Sequence, residues 1–182
     1  EASTLNLVDE NILVATCGSF SERHANVAER LGKDVDRLEY EWGQAVKPGD
    51  IREALETSDK HYDVVACVKN ESSTGVRNPI EEIGDVVAEY PDTYFVVDAV
   101  SSLGGDYVDI DKHDIDVIFA SSQKAFAMPP GLAICAVSDD AYEREIEKGS
   151  ASWYGGFQRT LDYYDRKGQT HSTPAIPIML AY

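Results

Sequence analysis

Apolar positions along this chain gather into short, unbroken runs separated by amphipathic stretches. Residues 11–17, 62–68, 94–100, 116–120 and 131–137 are apolar nearly throughout instead of alternating. Such runs predict strands covered on both faces, and helices between them predict parallel crossovers. Helix start signals fall where crossovers need them. Ser19 with Glu22 reads as a capping box opening a helix to Leu31, which stops at Gly32. Asp50 with Glu53 repeats the device, and Asn78-Pro79 supplies an N-cap and first-turn proline for a helix through Glu89. Ser138 caps a helix over 139–148 that ends before Gly149.

The expected fold is α/β, a three-layer α/β/α domain with a mixed, mainly parallel sheet. Pro129-Pro130-Gly131 leaves no room for a crossover helix between the last two strands, so the final strand should run antiparallel. Residues 150–173 are aromatic, polar and irregular, and read as an extended excursion at a subunit contact. The apolar stretch from Ile176 begins another helix.

Composition narrows the function. The 182 residues suit one sizeable domain. A formal charge of −17, from 33 acidic and 16 basic residues, disfavours nucleic acid and anionic membrane as partners. The acids are spread over amphipathic segments, a solvated surface that suits a halophilic setting. Cys17, Cys67 and Cys135 all sit in apolar runs and are expected as buried small hydrophobes in a reducing compartment. The four histidines show no ligand spacing, so no metal site is expected. No signal peptide or membrane-spanning run is visible, and a cytoplasmic location is expected.

In parallel sheets, ligands collect where strands end and helices begin. Two charged residues stand out there. Asp98 directly follows Tyr94-Phe95-Val96-Val97, and Lys124 follows Val117-Ile118-Phe119-Ala120 within SSQKAFAMPPG. The plainer reading of Asp98 is a local cap taking N–H bonds from the Ser101-Ser102 turn, and that of Lys124 is a snorkelling surface lysine. On successive parallel strands, however, the two share one rim of the sheet. A lysine to form a Schiff base and a carboxylate to keep a pyridine nitrogen protonated is the pair that pyridoxal 5'-phosphate requires. No GxGxxG or GxxxxGK[ST] fingerprint offers a nucleotide instead.

At these residues the chain resembles the class V aminotransferases, fold-type I pyridoxal-phosphate enzymes, and within them the alanine–glyoxylate, serine–glyoxylate and serine–pyruvate subgroup. NESSTGV (70–76), DAVSSLGG (98–105), SSQKAFAMPPG (121–131) and THSTPAIP (170–177) carry the likeness, in order and over nearly the whole chain. The resemblance implies that Lys124 holds the cofactor covalently and Asp98 pairs with the pyridine nitrogen. It places Val100 on one ring face, Phe20 on the other, Ser72 near the phenolic oxygen and Gln123 on the phosphate. Thr173 would reach the phosphate of a neighbouring subunit, which implies a homodimer with shared sites. It further implies that residues 1–182 are the central part of the cofactor-binding large domain, with the phosphate loop and the small domain's carboxylate-binding arginine lying outside. The implied activity is amino transfer from alanine or serine to glyoxylate or pyruvate. Two alternatives stay open: another fold-type I enzyme such as a cysteine desulfurase or lyase, and a catalytically silent dimerisation fragment. Desulfurases usually carry His-Lys at the anchor, where this chain has Gln123-Lys124.

Overall fold

A computed structural model describes residues 1–181. In chain order the elements are α1 (Ala2–Leu7), β1 (Asn11–Thr16), α2 (Ser19–Arg30), β2 (Asp34–Glu39), α3 (Pro48–Thr57), β3 (Val64–Val68), β4 (Asn70–Glu71), β5 (Val76–Arg77) and α4 (Ile80–Val87). There follow β6 (Tyr94–Asp98), β7 (Val117–Ser121), β8 (Ala133–Val137), α5 (Asp139–Lys148), α6 (Phe157–Lys167) and α7 (Ile176–Met179). One six-stranded sheet has the order β2-β1-β3-β6-β7-β8, parallel except for the last pair. β4 and β5 form a small antiparallel hairpin.

Strand parity divides the core into two layers, because successive side chains point to opposite faces. Leu13, Ala15, Val65, Cys67, Phe95 and Val97 pack with Ile51, Ile80, Ile83 and Val87 from α3 and α4. Ile12, Val14, Val64, Ala66 and Val96 pack with Leu7, Ala25, Ala28 and Ala141 from α1, α2 and α5. Burying each large aliphatic side chain is worth about 1.5–3 kcal/mol against exposure, so these layers fix which way the strand ends point. Asp98 shares the parity of Val96 and therefore emerges on the α2 side.

The mixed three-layer architecture and the antiparallel last strand agree with the sequence reading, as does Ser138, whose Oγ accepts from Ala141 N at 3.0 Å to cap α5. Several expectations are corrected. β2 was not anticipated from the sequence: DVDRLE is a half-exposed edge strand without an apolar run. The Ser19–Glu22 box does not form. Gly18 is the N-cap, Ser21 Oγ accepts from Cys17 N and Gly18 N, and the carboxylate of Glu71, some 50 residues away, meets the free N–H groups of α2. Nor does Asp50 cap α3, whose N-cap is Lys47; Asp50 instead accepts from the Tyr40 hydroxyl at 2.9 Å. Asn78 is a buried tie, donating to Val68 O at 2.7 Å and accepting from Val46 N at 2.9 Å, while Pro79 takes the N-cap of α4. Residues 157–167 form α6 in place of an irregular excursion. Cys17 and Cys67 are buried, but Cys135 lies exposed on the edge strand β8.

Candidate active site

The carboxyl ends of β3, β6 and β7 open together into a cleft of about 460 Å³ on the α2 side. Their last paired residues align there, Val68 beside Asp98 and Asp98 beside Phe119. One face of α2 closes the cleft with Phe20, Arg23, His24 and Val27, the i, i+3, i+4, i+7 series of a single helical stripe. β4 adds Asn70, and the turns after the strands add Ser72, Val100, Ser101, Gln123 and Lys124.

Six residues singled out from the sequence thus line one cleft: Phe20, Ser72, Asp98, Val100, Gln123 and Lys124. Thr173 does not. It is exposed and stands in the extended segment before α7, away from this cleft.

Asp98 takes one local hydrogen bond, from Val100 N at 2.9 Å. The Ser101-Ser102 turn does not satisfy the rest: the Ser101 hydroxyl donates to Asn70 O at 3.1 Å, and Ser102 N and Oγ both turn to Ala99 O. Burial raises the Asp98 carboxyl above its ordinary value; Val100 N–H and, more weakly, the Arg23 charge oppose that, and the charge of Glu71 adds to the rise. Among the described residues no cation forms an ion pair with Asp98. A half-satisfied carboxylate facing a cleft is costly in isolation and fits a cationic or N–H-bearing ligand.

Lys124 follows β7 by three residues and is exposed. Its turn is tightly made. Ala127 N donates to Lys124 O at 2.9 Å and Met128 N to Ser122 O at 2.9 Å, while the buried Ser122 donates its hydroxyl to Pro129 O at 2.7 Å. Ala127 closes the turn at φ 54°, a left-handed conformation that costs a residue with a Cβ about 1–2 kcal/mol. Backbone strain of this kind collects at functional sites.

Other lining residues escaped the sequence reading. Arg23 and His24 lie one turn beyond Phe20, a helical spacing that would have found them. The Arg23 guanidinium sits 4.9 Å from the Phe20 ring centroid, and burial pushes the His24 imidazole down to about 4, so it is neutral near pH 7. Ser101 links Ser72 and Asn70 at 2.9 Å and 3.2 Å. No cysteine lines the cleft. Among the described residues, no group of three or more His, Cys, Asp or Glu is placed to hold a metal ion, and no helix is long and apolar enough to cross a membrane.

Residues 8–174 match the family model described as aminotransferase class-V. An uncharacterised aminotransferase of Methanocaldococcus jannaschii is 43% identical over 176 residues, covering 94% of this chain and 44% of that protein. An L-aspartate–glyoxylate aminotransferase of Paracoccus denitrificans is 38% identical over 91% of this chain and 42% of its own. Among solved structures, an alanine–glyoxylate aminotransferase from Nostoc sp. superimposes with a TM-score of 0.88 at 31% identity, over 99% of this chain and 48% of that one. The chain spans about half the length of the relatives it matches.

Proposed function

The chain belongs to the class V aminotransferases, and from that premise we propose that its strand-end cleft takes pyridoxal phosphate and serves amino transfer from a small amino acid, alanine or serine, to glyoxylate or pyruvate. The observation that carries this reading is Asp98, a half-buried, half-satisfied carboxylate facing the same cleft as Lys124. The residues present fit the group. Asp98 would pair with the protonated pyridine nitrogen, Phe20 and Val100 would hold the ring, Ser72 would meet the phenolic oxygen and Gln123 the phosphate. When bound, pyridoxal phosphate supplies an aldehyde carbon for a lysine and a cationic ring that accepts the electron pair left by a substrate proton.

Lys124 Nζ would hold the group covalently; as a free amine it would take the proton from the substrate Cα as general base and give it back as general acid. Asp98 would keep the ring nitrogen protonated, and His24, neutral near pH 7, adds no charge to the cleft. Glyoxylate as acceptor draws support from the names of the Paracoccus and Nostoc relatives, which differ in donor. Thr173 belongs to this reading as a contact to the phosphate of a second copy, in a homodimer of which residues 1–182 form the central part of each large domain.

The test is the cofactor's visible absorbance in the holoenzyme, which reports its bond to lysine. Lys124→Ala should abolish that band. An unchanged spectrum in the variant would sink the proposal, and no band in the parent protein would favour a silent dimerisation role. Alanine, serine and aspartate assayed against glyoxylate and pyruvate then identify the substrate pair.

A further inference from the structure

Glu71 is a buried carboxylate beside the cleft that this mechanism leaves without a role. It is 0% exposed, yet among the described residues no cation forms an ion pair with it. Its partners are donors from two separate segments. From α2, Phe20 N donates to Oε2 at 3.1 Å and Ser21 N to the same oxygen at 2.9 Å. From its own turn, Ser73 N donates to Oε1 at 3.2 Å and the Ser73 hydroxyl at 2.6 Å, and that hydroxyl in turn accepts from Ser19 N at 2.9 Å. Burial alone would raise the Glu71 carboxyl, but these hydrogen bonds outweigh it and hold it below its ordinary value. An anion at the N-terminus of a helix also lies with the macrodipole.

The packing around it is close. A Cβ on Gly18 would stand 2.5 Å from Glu71 Cγ and 2.6 Å from Ser73 Oγ, so only glycine lets the carboxylate approach the start of α2. The two segments joined in this way carry Phe20 and Ser72, which enter the cleft from opposite elements.

We propose that Glu71 is a positioning residue: its carboxylate pins the N-terminus of α2 to the 70–75 turn, and so sets Phe20 and Ser72 in register around whatever ring the cleft holds. The inference rests on the cofactor reading for the identity of that ring, but the pin itself exists without it. Three variants probe it. Glu71→Gln puts an amide N–H₂ against N–H donors, Ser73→Ala removes two bonds of the bridge at a surface residue, and Gly18→Ala pushes the carboxylate from behind.

Two readouts are needed. In the cofactor-free protein, amide hydrogen exchange at Phe20 and Ser21 should quicken at least tenfold in Glu71→Gln and by less in Ser73→Ala. In the holoenzyme, the visible circular dichroism of the bound ring should shrink, and half-saturation by pyridoxal phosphate should rise about tenfold for Glu71→Gln, the scale of one charge-assisted hydrogen bond. Gly18→Ala should shift both in the same direction. Wild-type exchange, dichroism and affinity in Ser73→Ala together with Gly18→Ala would overturn the pin, even if Glu71→Gln failed to fold. Faster exchange in a protein that binds no pyridoxal phosphate at Lys124 would keep the pin and remove the cofactor reading instead.

Discussion

Lys69 and Asp98 occupy neighbouring strand ends on the same rim, joined directly by Lys69 N donating to Asp98 O at 2.8 Å, yet their side chains have opposite fates. The Lys69 side chain is 0% exposed and fully engaged: Nζ donates to Tyr107 O at 2.9 Å and meets Asp106 at 3.2 Å and Glu81 at 3.3 Å. Arg77 completes the cluster through both acids. Asp98 faces the cleft with a single local donor. A buried charge whose partners are all supplied by its own fold is a fixture. One left half-supplied carries the ligand claim. The lesson is that burial alone does not mark a functional charge; the accounting of its partners does.

The largest effect should come from the under-supplied member. Asp98→Ala should lower the amino-transfer rate on the order of a thousandfold, measured as kcat against a protein that still folds by circular dichroism. A loss below tenfold would leave Asp98 no closer to the chemistry than Lys69. Lys69→Met should do the reverse, destabilising the fold by about 3 kcal/mol in urea unfolding while leaving half-saturation by pyridoxal phosphate within a factor of a few. Weaker again is Asp106→Asn, since that carboxylate is 43% exposed; less than about 1 kcal/mol is expected. Arg77 first, then Lys69, lower the Asp106 carboxyl, so its contribution is present above the ordinary carboxylate value and fades as pH falls through the depressed one. Stability profiles of wild type and Asp106→Asn should therefore converge on acidification, and divergence there would contradict the assignment. Smallest is Ala127→Gly, which relieves the left-handed residue behind Lys124 and should raise the free energy of urea unfolding slightly, by no more than about 1 kcal/mol.

How far the sequence could take this contrast depended on the range of the interactions. Strands β1, β3, β6 and β7 announced themselves because both faces are buried, and the double proline gave away the antiparallel β8. β2 and α6 lack that signal, one half-exposed along its length and the other with no buried residue. The positions of Asp98 and Lys124 were legible from strand ends and motif. Their exposures were not, because Lys124 sits on a turn whose geometry is set by Ser122 and Ala127. Glu71 was invisible as the cap of α2, since its partners are about 50 residues distant while an apparent local box at Ser19 and Glu22 offered a nearer answer. Arg23 and His24 were within reach of simple helical spacing from Phe20.

The central claim is that Asp98 is held ready for a cationic ring, and thermal unfolding of wild type and Asp98→Asn with and without pyridoxal phosphate tests it most directly. Burial raises the Asp98 carboxyl above its ordinary 3.8, so folding without cofactor favours the protonated form more than the unfolded chain does. That stabilisation is full below 3.8 and is lost as pH rises through the raised value. Near pH 7, Asp98→Asn should accordingly melt a few degrees above wild type when cofactor-free, and the order should reverse when pyridoxal phosphate is added, because only the carboxylate gains a cationic partner. Equal stabilisation of both proteins by the cofactor would contradict the account.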